Sequence, residues 1–269
     1  MIDKLSENKD TTRFLLDSGA FSAWKAGKTI KVDDYCNFIE KITPTINPWR
    51  YFTLDVVGDP LKTQENYEIM LKRGFKPIPI FTRGENISSI DDFYKNSDVV
   101  GIGGLVQTKK NKQFVNAVMK KIGKRKVHWL GFTKINYLKH YKPYMCDSST
   151  PTFAFRYARL GLYVGNGKFI SYGKSDFLKK PNATITRIFK ELEVDPKIFS
   201  KSENWKNTGI VCKPNDFENA VYRSYVKYQL EVEKNLGTKL FIACATTWQL
   251  YSALSGHGFW GKRGINVRR

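Results

Sequence analysis

Three aspartates stand where apolar runs of the chain stop, and their side chains could do acid, base or nucleophilic chemistry. Asp17 ends the run FLLD, Asp55 lies in YFTLDVVGD, and Asp147 follows YMC in YMCDSST. A carboxylate at the end of a buried strand is costly unless something pairs with its charge or uses it. We therefore predict that the three strand ends converge on one pocket, where the aspartates form an acid/base and nucleophile set.

The alternative for each aspartate is a helix N-cap, because Asp is common just before a helix. Capping explains one such residue as well as catalysis does, but it explains three at successive strand ends less well. The second run also contains Asp59 beside Pro60, which is a typical turn acid. We therefore assign the functional role to Asp55 and leave Asp59 to the loop.

A repeated alternation of apolar runs and helix-like segments must position these side chains. Six runs rich in Val, Ile and Phe, each followed by a segment with helical spacing, predict parallel strands joined by crossover helices. The residues at or just after the strand ends are Asp17, Asp55, Gly103, Gly104, Gly131 and Asp147. Barrel enzymes assemble their active sites on that rim, so the predicted fold is an α/β barrel of the (β/α)8 TIM type rather than a doubly wound open sheet.

The predicted domain organisation has two parts. Residues 1–180 form the core of the barrel and carry the catalytic residues, with a hairpin insertion at about 161–173, where a Gly-Asn-Gly turn separates two β-rich runs. Residues 181–269 form a helical segment, a strand in TKLFIACATT and a basic tail. Only 16 residues precede Asp17, so the barrel is either incomplete and irregular or closed by that later strand.

The charge balance points to a polyanionic partner. Forty-five Lys and Arg against 25 Asp and Glu give a formal net charge of +20, far beyond what solubility needs. We expect nucleic acid as the partner, the alternative being lysines that are merely solvated. A hydrophobic content of 41% excludes wholesale disorder.

Cysteine usage and hydropathy limit the compartment. The four cysteines form no C-x-C or C-x-x-C pair, so we expect neither a disulfide framework nor a Cys-based zinc site. We also expect no cofactor. The chain has no apolar signal stretch at its start and no run approaching the roughly 20 apolar residues that span a bilayer. We predict a cytoplasmic protein of a bacterium or of a phage-infected host cell, with no membrane association.

Five segments together resemble one enzyme family. They are DSGAFS (17–22), LDVVGD (54–59), GIGGLV (101–106), HWLGF (128–132) and CDSST (146–150). Their order and spacing are similar to those of the tRNA-guanine transglycosylase superfamily. The residues within the motifs most resemble those of its phage-type members, the DNA 7-deazaguanine transglycosylases. The resemblance covers about residues 12 to 160. It implies base exchange, in which a guanine is replaced by a 7-deazaguanine such as preQ0 or preQ1 through a covalent glycosyl-enzyme intermediate.

The resemblance also implies roles for the acidic residues. Asp147 matches the nucleophile that attacks the sugar C1′, and Asp17 matches the acid/base that handles the proton of the departing and incoming base. A retaining double displacement needs two carboxylates placed in this way. Asp55 matches the carboxylate that accepts hydrogen bonds from the guanine edge, and Ser18 belongs to the same substrate-binding set.

Three further positions complete the predicted substrate site. Gly103 and Gly104 match the segment whose backbone approaches the base. Phe21 is placed to stack on the base, with a core aromatic as the equal alternative. His128 could contact base or phosphate, although a buried structural histidine is the better interpretation.

Departures from the tRNA enzymes favour DNA over tRNA as the substrate. The C-x-C-x-x-C and His zinc site of those enzymes is absent, and the third strand, IPIFTRGE, has no glutamine to face the base. The identity of the incoming base therefore stays open. Three alternatives remain: a tRNA-guanine transglycosylase, a catalytically inactive nucleic-acid-binding accessory subunit, and a barrel hydrolase that releases guanine to water.

Basic segments near the strand ends are the predicted phosphate contacts. Lys109, Lys110 and Lys112 follow the glycine segment directly, and Arg268 and Arg269 end a tail that could be a phosphate-binding arm or only a charged end. A second basic run, 120–126, precedes a strand and is predicted to be solvated on the opposite face of the barrel.

Overall fold

The structure is a computed structural model that describes residues 1–105, 111–157, 159–177, 182–201, 205–206, 209–210 and 214–264. The helices are α1 (Ile2–Glu7), α2 (Ala20–Lys25), α3 (Val32–Ile46), α4 (Pro60–Lys72), α5 (Ser89–Asn96), α6 (Asn111–Ile122), α7 (Ile135–Tyr141), α8 (Thr150–Tyr157), α9 (Lys174–Phe177), α10 (Ala183–Leu192), α11 (Pro214–Leu236) and α12 (Thr247–Gly261). The strands are β1 (Leu15–Leu16), β2 (Arg50–Tyr51), β3 (Ile80–Phe81), β4 (Val99–Ile102), β5 (Lys126–Trp129), β6 (Met145–Ser148), β7 (Leu160–Gly165), β8 (Lys168–Tyr172), β9 (Trp205–Lys206), β10 (Gly209–Ile210) and β11 (Lys239–Ile242).

The chain divides into two compact units. The first contains residues 1–133 and 143–146, and the second contains residues 134–142 and 147–269. The division falls inside β6, so it does not coincide with the predicted boundary at residue 180. None of the helices in the described part of the chain has the length and hydropathy needed to cross a bilayer.

The first unit is built on parallel strands that follow one another in chain order. β1 pairs with β2, and a bridge between Phe52 and Ile78 continues the parallel order toward β3. β3, β4, β5 and β6 then pair in succession, all parallel. Parallel neighbours require a crossover, and a helix lies between each strand and the next up to β5. The predicted α/β class with a parallel sheet is therefore confirmed.

Burial on both faces explains the composition of these strands. All four residues of β4 are buried, as parallel strands covered by helices require. On one side α3 contributes Tyr35, Cys36 and Ile39 to a cluster that also contains Leu54 and Met70. Leu16 and Tyr51, the last residues of β1 and β2, pack against this cluster.

The second unit packs helices around a hairpin. β7 and β8 are antiparallel and meet at the Gly-Asn-Gly turn, where the sequence predicts a hairpin. Gly167 in this turn has φ of +76°, and a Cβ there would lie 2.2 Å from a side-chain carbon of Ile135. Only glycine suits that position, because both the backbone conformation and the space exclude a side chain.

Three helices of the second unit share one core. Phe189 of α10, Phe217 and Tyr222 of α11 and Trp260 of α12 are all buried in it. The long helix α11 carries the clearest helical pattern in the sequence. Helix α12 follows a capping box, in which Thr246 Oγ1 accepts from Gln249 N and the Gln249 side chain accepts from the Thr246 backbone.

The end of β6 belongs to the second unit. Ser148 O accepts a hydrogen bond from Ala243 N, so the chain just after β11 runs beside the last residue of β6. β11 itself lies in TKLFIACATT, where the sequence predicts a late strand.

Candidate active site

Ser18 brings two of the predicted carboxylates together. Its Oγ donates a hydrogen bond to Asp55 Oδ1 at 2.7 Å, and its backbone N donates to Asp17 Oδ1 at 3.0 Å. Asp17 directly follows β1, and Asp55 follows the run that continues β2, so both emerge at the carboxyl ends of adjacent parallel strands. Three of the predicted site residues, Asp17, Ser18 and Asp55, thus lie together within the first unit.

Helix capping explains neither of these two aspartates. Helix α2, after β1, has Gly19 at its N-cap position, and that cap makes no side-chain hydrogen bond. Helix α4, after β2, is capped by Asp59, whose Oδ1 accepts from Lys62 N at 2.9 Å. Asp59 is therefore the structural acid of LDVVGD, and Asp55 is left for another role.

Burial and charge set the protonation behaviour of this group. Burial raises the pKa of the Asp55 carboxyl, and the hydrogen bond from Ser18 partly offsets the rise because it favours the ionised form. Tyr35 is buried behind them and donates to Phe52 O at 3.0 Å. Burial raises the pKa of Tyr35, and the nearby charges of Asp17 and Asp55 raise it further. The phenol thus stays a neutral donor.

Asp17 and Asp55 differ in their access to solvent. Asp17 is exposed, whereas Asp55 is half-buried and Ser18 is almost fully buried. An exposed carboxylate can exchange protons with a ligand, and a half-buried one is suited to accept hydrogen bonds from a docked polar edge. The pair therefore offers two different carboxylate functions within one cluster.

Exposed aromatic side chains follow Asp17 on α2. Phe21 is 48% exposed and Trp24 is 56% exposed, with their ring centroids 5.9 Å apart. Lys25 Nζ lies 4.5 Å from the Phe21 ring centroid. The core-aromatic alternative for Phe21 is therefore wrong, and stacking on a base stays a prediction.

The turn after β3 contains a half-buried carboxylate, Glu85, that the sequence reasoning did not single out. Glu85 Oε1 accepts from Thr82 N at 2.6 Å and from Thr82 Oγ1 at 2.8 Å, and burial raises the pKa of its carboxyl. Gly103 is buried, and a Cβ there would lie 3.3 Å from Thr82 Cγ2. The strand-end rule that found Asp17 would also have found Glu85, which follows the apolar run IPIF by four residues.

Gly104 is exposed and has φ of +67°, so the chain turns sharply just after β4. Asp147 is half-buried and is the third residue of β6. Ser148 fixes the chain after it, because its Oγ accepts from Thr150 N at 3.1 Å and donates to Thr150 Oγ1 at 2.8 Å. The nucleophile role of Asp147 stays a prediction.

His128 lies in the interior of the first unit. Its side chain is fully buried, and its ring meets Phe52 edge-on with the centroids 4.9 Å apart. This placement agrees with the structural-histidine interpretation rather than with contact to base or phosphate.

Of the predicted phosphate contacts, only Lys112 lies within the described residues. Lys112 is exposed near the start of α6. Lys109, Lys110, Arg268 and Arg269 lie outside the described residues. In the second basic run, Lys121 and Arg125 both pair with Asp91.

Among the described residues, no group of three or more His, Cys, Asp or Glu side chains could hold a metal ion. Comparison with protein-family models, with curated proteins and with solved structures finds no match to this chain. Any assignment of function therefore depends on the residues themselves.

Proposed function

We propose that the protein is a base-exchange transglycosylase that replaces guanine in DNA with a 7-deazaguanine of the preQ0 or preQ1 type. The observation that carries the proposal is the pair of carboxylates, Asp17 and Asp55, joined by Ser18 at the ends of two adjacent parallel strands. Capping does not account for either of them. A strongly basic chain with such a group suits chemistry on a nucleic-acid base.

The proposed reaction has two displacement steps. In the first, a carboxylate oxygen of Asp147 attacks C1′ of the target nucleotide and the C1′–N9 bond breaks, while Asp17 gives a proton to the departing guanine. In the second, Asp17 takes a proton from the incoming 7-deazaguanine, whose nitrogen attacks C1′ and releases Asp147. Both steps invert C1′, so the configuration of the sugar is retained.

Asp55 is proposed to select the base. An ionised carboxylate can accept two hydrogen bonds, from N1–H and from the exocyclic amine of guanine, and adenine does not present this pair. Ionisation has to overcome the burial of Asp55, and the hydrogen bond from Ser18 favours the ionised form. Ser18 therefore supports the protonation state that base selection requires.

The fold that we propose for this chemistry is a (β/α) barrel. The parallel strands β1 to β6 in chain order support it, because this is the order in which strands follow one another around such a barrel. We propose that β11 contributes to its closure, and that the protein acts in the cytoplasm, where DNA is accessible.

The test is base incorporation. The purified protein is incubated with preQ0 or preQ1 and with duplex DNA or tRNA, the polymer is digested to nucleosides, and 7-deazaguanine nucleoside is measured by mass spectrometry. We expect incorporation into DNA. Incorporation into tRNA alone would keep the chemistry and replace the substrate, whereas release of guanine without incorporation would indicate a hydrolase.

Variants separate catalysis from folding and binding. We expect Asp17→Asn to lower the rate at least about 100-fold, the usual contribution of a positioned acid or base. Asp147→Asn should lower the rate at least as much, because it removes the nucleophile that forms the covalent intermediate. Asp59→Asn is the matched control, because Asn caps a helix as well as Asp does and the exposed position is outside the proposed chemistry. Full activity in Asp147→Asn would exclude the covalent route, and tight DNA binding without any exchange in the wild type would indicate an accessory subunit.

A further inference from the structure

The second unit contains an open cleft in which four of the eight lining residues are cations. The cleft has a volume of about 670 Å³ and lies among β7, α10, α11 and the end of α12. Its charged lining consists of Arg187, Lys190, Lys227, Arg263 and Glu191. Four cations therefore face one carboxylate in a cleft that no predicted site residue shares.

Two of the cations are unpaired in the described part of the protein. Arg187 and Lys190 are exposed, and neither makes an ion pair or a side-chain hydrogen bond there. They are three residues apart on α10, so their side chains are neighbours on the helix surface. Their positive charge is available to a ligand.

The other two cations are held in place. Lys227 Nζ pairs with Glu191 at 2.5 Å and lies 5.6 Å from the Trp260 ring centroid. Arg263 pairs with Glu193, and its guanidinium carbon lies 3.8 Å from the Phe259 ring centroid. Stacking on aromatic rings and pairing with carboxylates orient these side chains before a ligand arrives.

The packing of α10 explains why the cations face outward. Ile185, Ile188, Phe189 and Leu192 bury one side of this helix in the core of the second unit. Arg187 and Lys190 lie on the other side, and their helix begins with a cap, since Asn182 Oδ1 accepts from Ile185 N at 3.0 Å. The cationic surface is therefore carried by a helix that is fixed at its end and along its apolar side.

An open row of point charges fits a ligand with repeated negative charges better than a single small anion. Guanidinium groups bind phosphate oxygens in a bidentate geometry, and lysines contribute charge at the same surface. The rest of the lining is Tyr163, Val164 and Ile188, which offer little to recognise a base. Such a lining suits the sugar-phosphate backbone.

We infer that this cleft, formed by Arg187, Lys190, Lys227 and Arg263, binds the phosphodiester backbone of a nucleic acid strand independently of its sequence. The inference does not depend on base exchange. It assigns a role to four cations of the second unit that the chemistry proposed above does not use.

Salt-dependent binding tests the cleft. The affinity of the full-length protein for a fluorescein-labelled 20-nucleotide single strand is measured by anisotropy between 50 and 300 mM NaCl. Each phosphate neutralised on a single strand contributes about 0.7 to the slope of log K against log salt. For the double variant Arg187→Gln/Lys190→Gln we expect that slope to fall by about 1.4 and the affinity to drop about tenfold at 100 mM.

The matched control is Lys120→Gln/Lys124→Gln. It also removes two positive charges, but at exposed positions of the first unit that are far along the chain from the cleft residues. We expect it to bind nearly as the wild type does. Equal losses in both double variants would show only a general charge effect and would overturn the inference, as would no loss in Arg187→Gln/Lys190→Gln.

A competitor separates nucleic acid from acidic protein. Poly-glutamate is titrated against the labelled strand at 100 mM NaCl, with an unlabelled strand in parallel. We expect the unlabelled strand to displace the labelled strand at a far lower concentration of negative charge than poly-glutamate requires. Preferential competition by poly-glutamate would instead make the cleft a site for an acidic polypeptide. Because the readout is binding, a failure of the exchange assay leaves this result interpretable.

Discussion

Ser18 is the residue on which the candidate site depends. It donates to Asp55, 37 residues away in the chain, while its backbone donates to its neighbour Asp17. The two aspartates could be predicted from the sequence, because each ends an apolar run. The hydrogen bonds that link them through Ser18 could not be predicted from the sequence. They depend on the parallel register of β1 against β2, which no local sequence pattern encodes.

The ionisation of Asp55 should make the protein less stable. Its pKa in the folded state is raised, so folding favours the protonated form, and stability falls as pH rises from the ordinary Asp range through the raised pKa. We expect Asp55→Asn to be more stable than the wild type at pH 7, on the order of 1 kcal/mol, the usual size for a stabilising substitution. Urea unfolding at pH 7 and pH 3.5 measures this.

The pH dependence of the stability gain shows whether ionisation of the Asp55 carboxyl is its cause. The gain should vanish at pH 3.5, where the wild-type carboxyl is also neutral. Asp59→Asn serves as the control and should change stability little at either pH. If Asp55→Asn were less stable than the wild type at pH 7, the carboxylate would be a net stabilising partner, contrary to this account.

Helix α12 is one of the elements that the sequence reasoning did not predict. Its residues are apolar around most of the circumference, so no single face stands out. The usable signal was the capping box of Thr246 and Gln249. The strand and helix alternation of the first unit was predictable, by contrast, because its strands are short apolar runs, fully buried in β3 and β4, and polar residues follow them.

Two glycines of α12 give a matched test of how it packs. A Cβ on Gly256 would lie 3.0 Å from Val226 Cγ2 and 3.3 Å from Tyr222 O, whereas a Cβ on Gly258 would meet nothing within 4 Å. We expect Gly258→Ala to stabilise the protein by up to about 1 kcal/mol through helix propensity. Gly256→Ala should destabilise it, because overpacking costs about 1–3 kcal/mol.

Urea unfolding of both glycine variants checks this prediction. A Gly256→Ala protein as stable as Gly258→Ala would mean that α12 does not lie against α11 as closely as these distances require.

At the scale of the whole molecule, polyanion binding depends on which residues carry the positive charge as well as on the net charge. The net charge of +20 is the excess of 45 Lys and Arg over 25 Asp and Glu, and the chain has only three His. The sequence predicted a polyanionic partner from this excess. It could not predict the cleft of the second unit, because its cations come from α10, α11 and the end of α12, and only folding brings them together.

Binding to a polyanion should therefore be almost independent of pH. Lys and Arg keep their charge well above pH 9, so we expect the affinity for heparin or DNA at 100 mM salt to change less than about threefold between pH 6 and pH 9. Isothermal titration at fixed ionic strength measures this. A steep loss centred near pH 6.5 would implicate a histidine instead.

The chain order of the parallel strands has a consequence for synthesis. A strand from β2 to β6 needs as its neighbour the strand that was made just before it. On a ribosome, which releases the amino-terminal end first, each emerging strand thus finds its partner already outside the exit tunnel. The first unit can grow by addition at one edge, without waiting for distant parts of the chain to be translated.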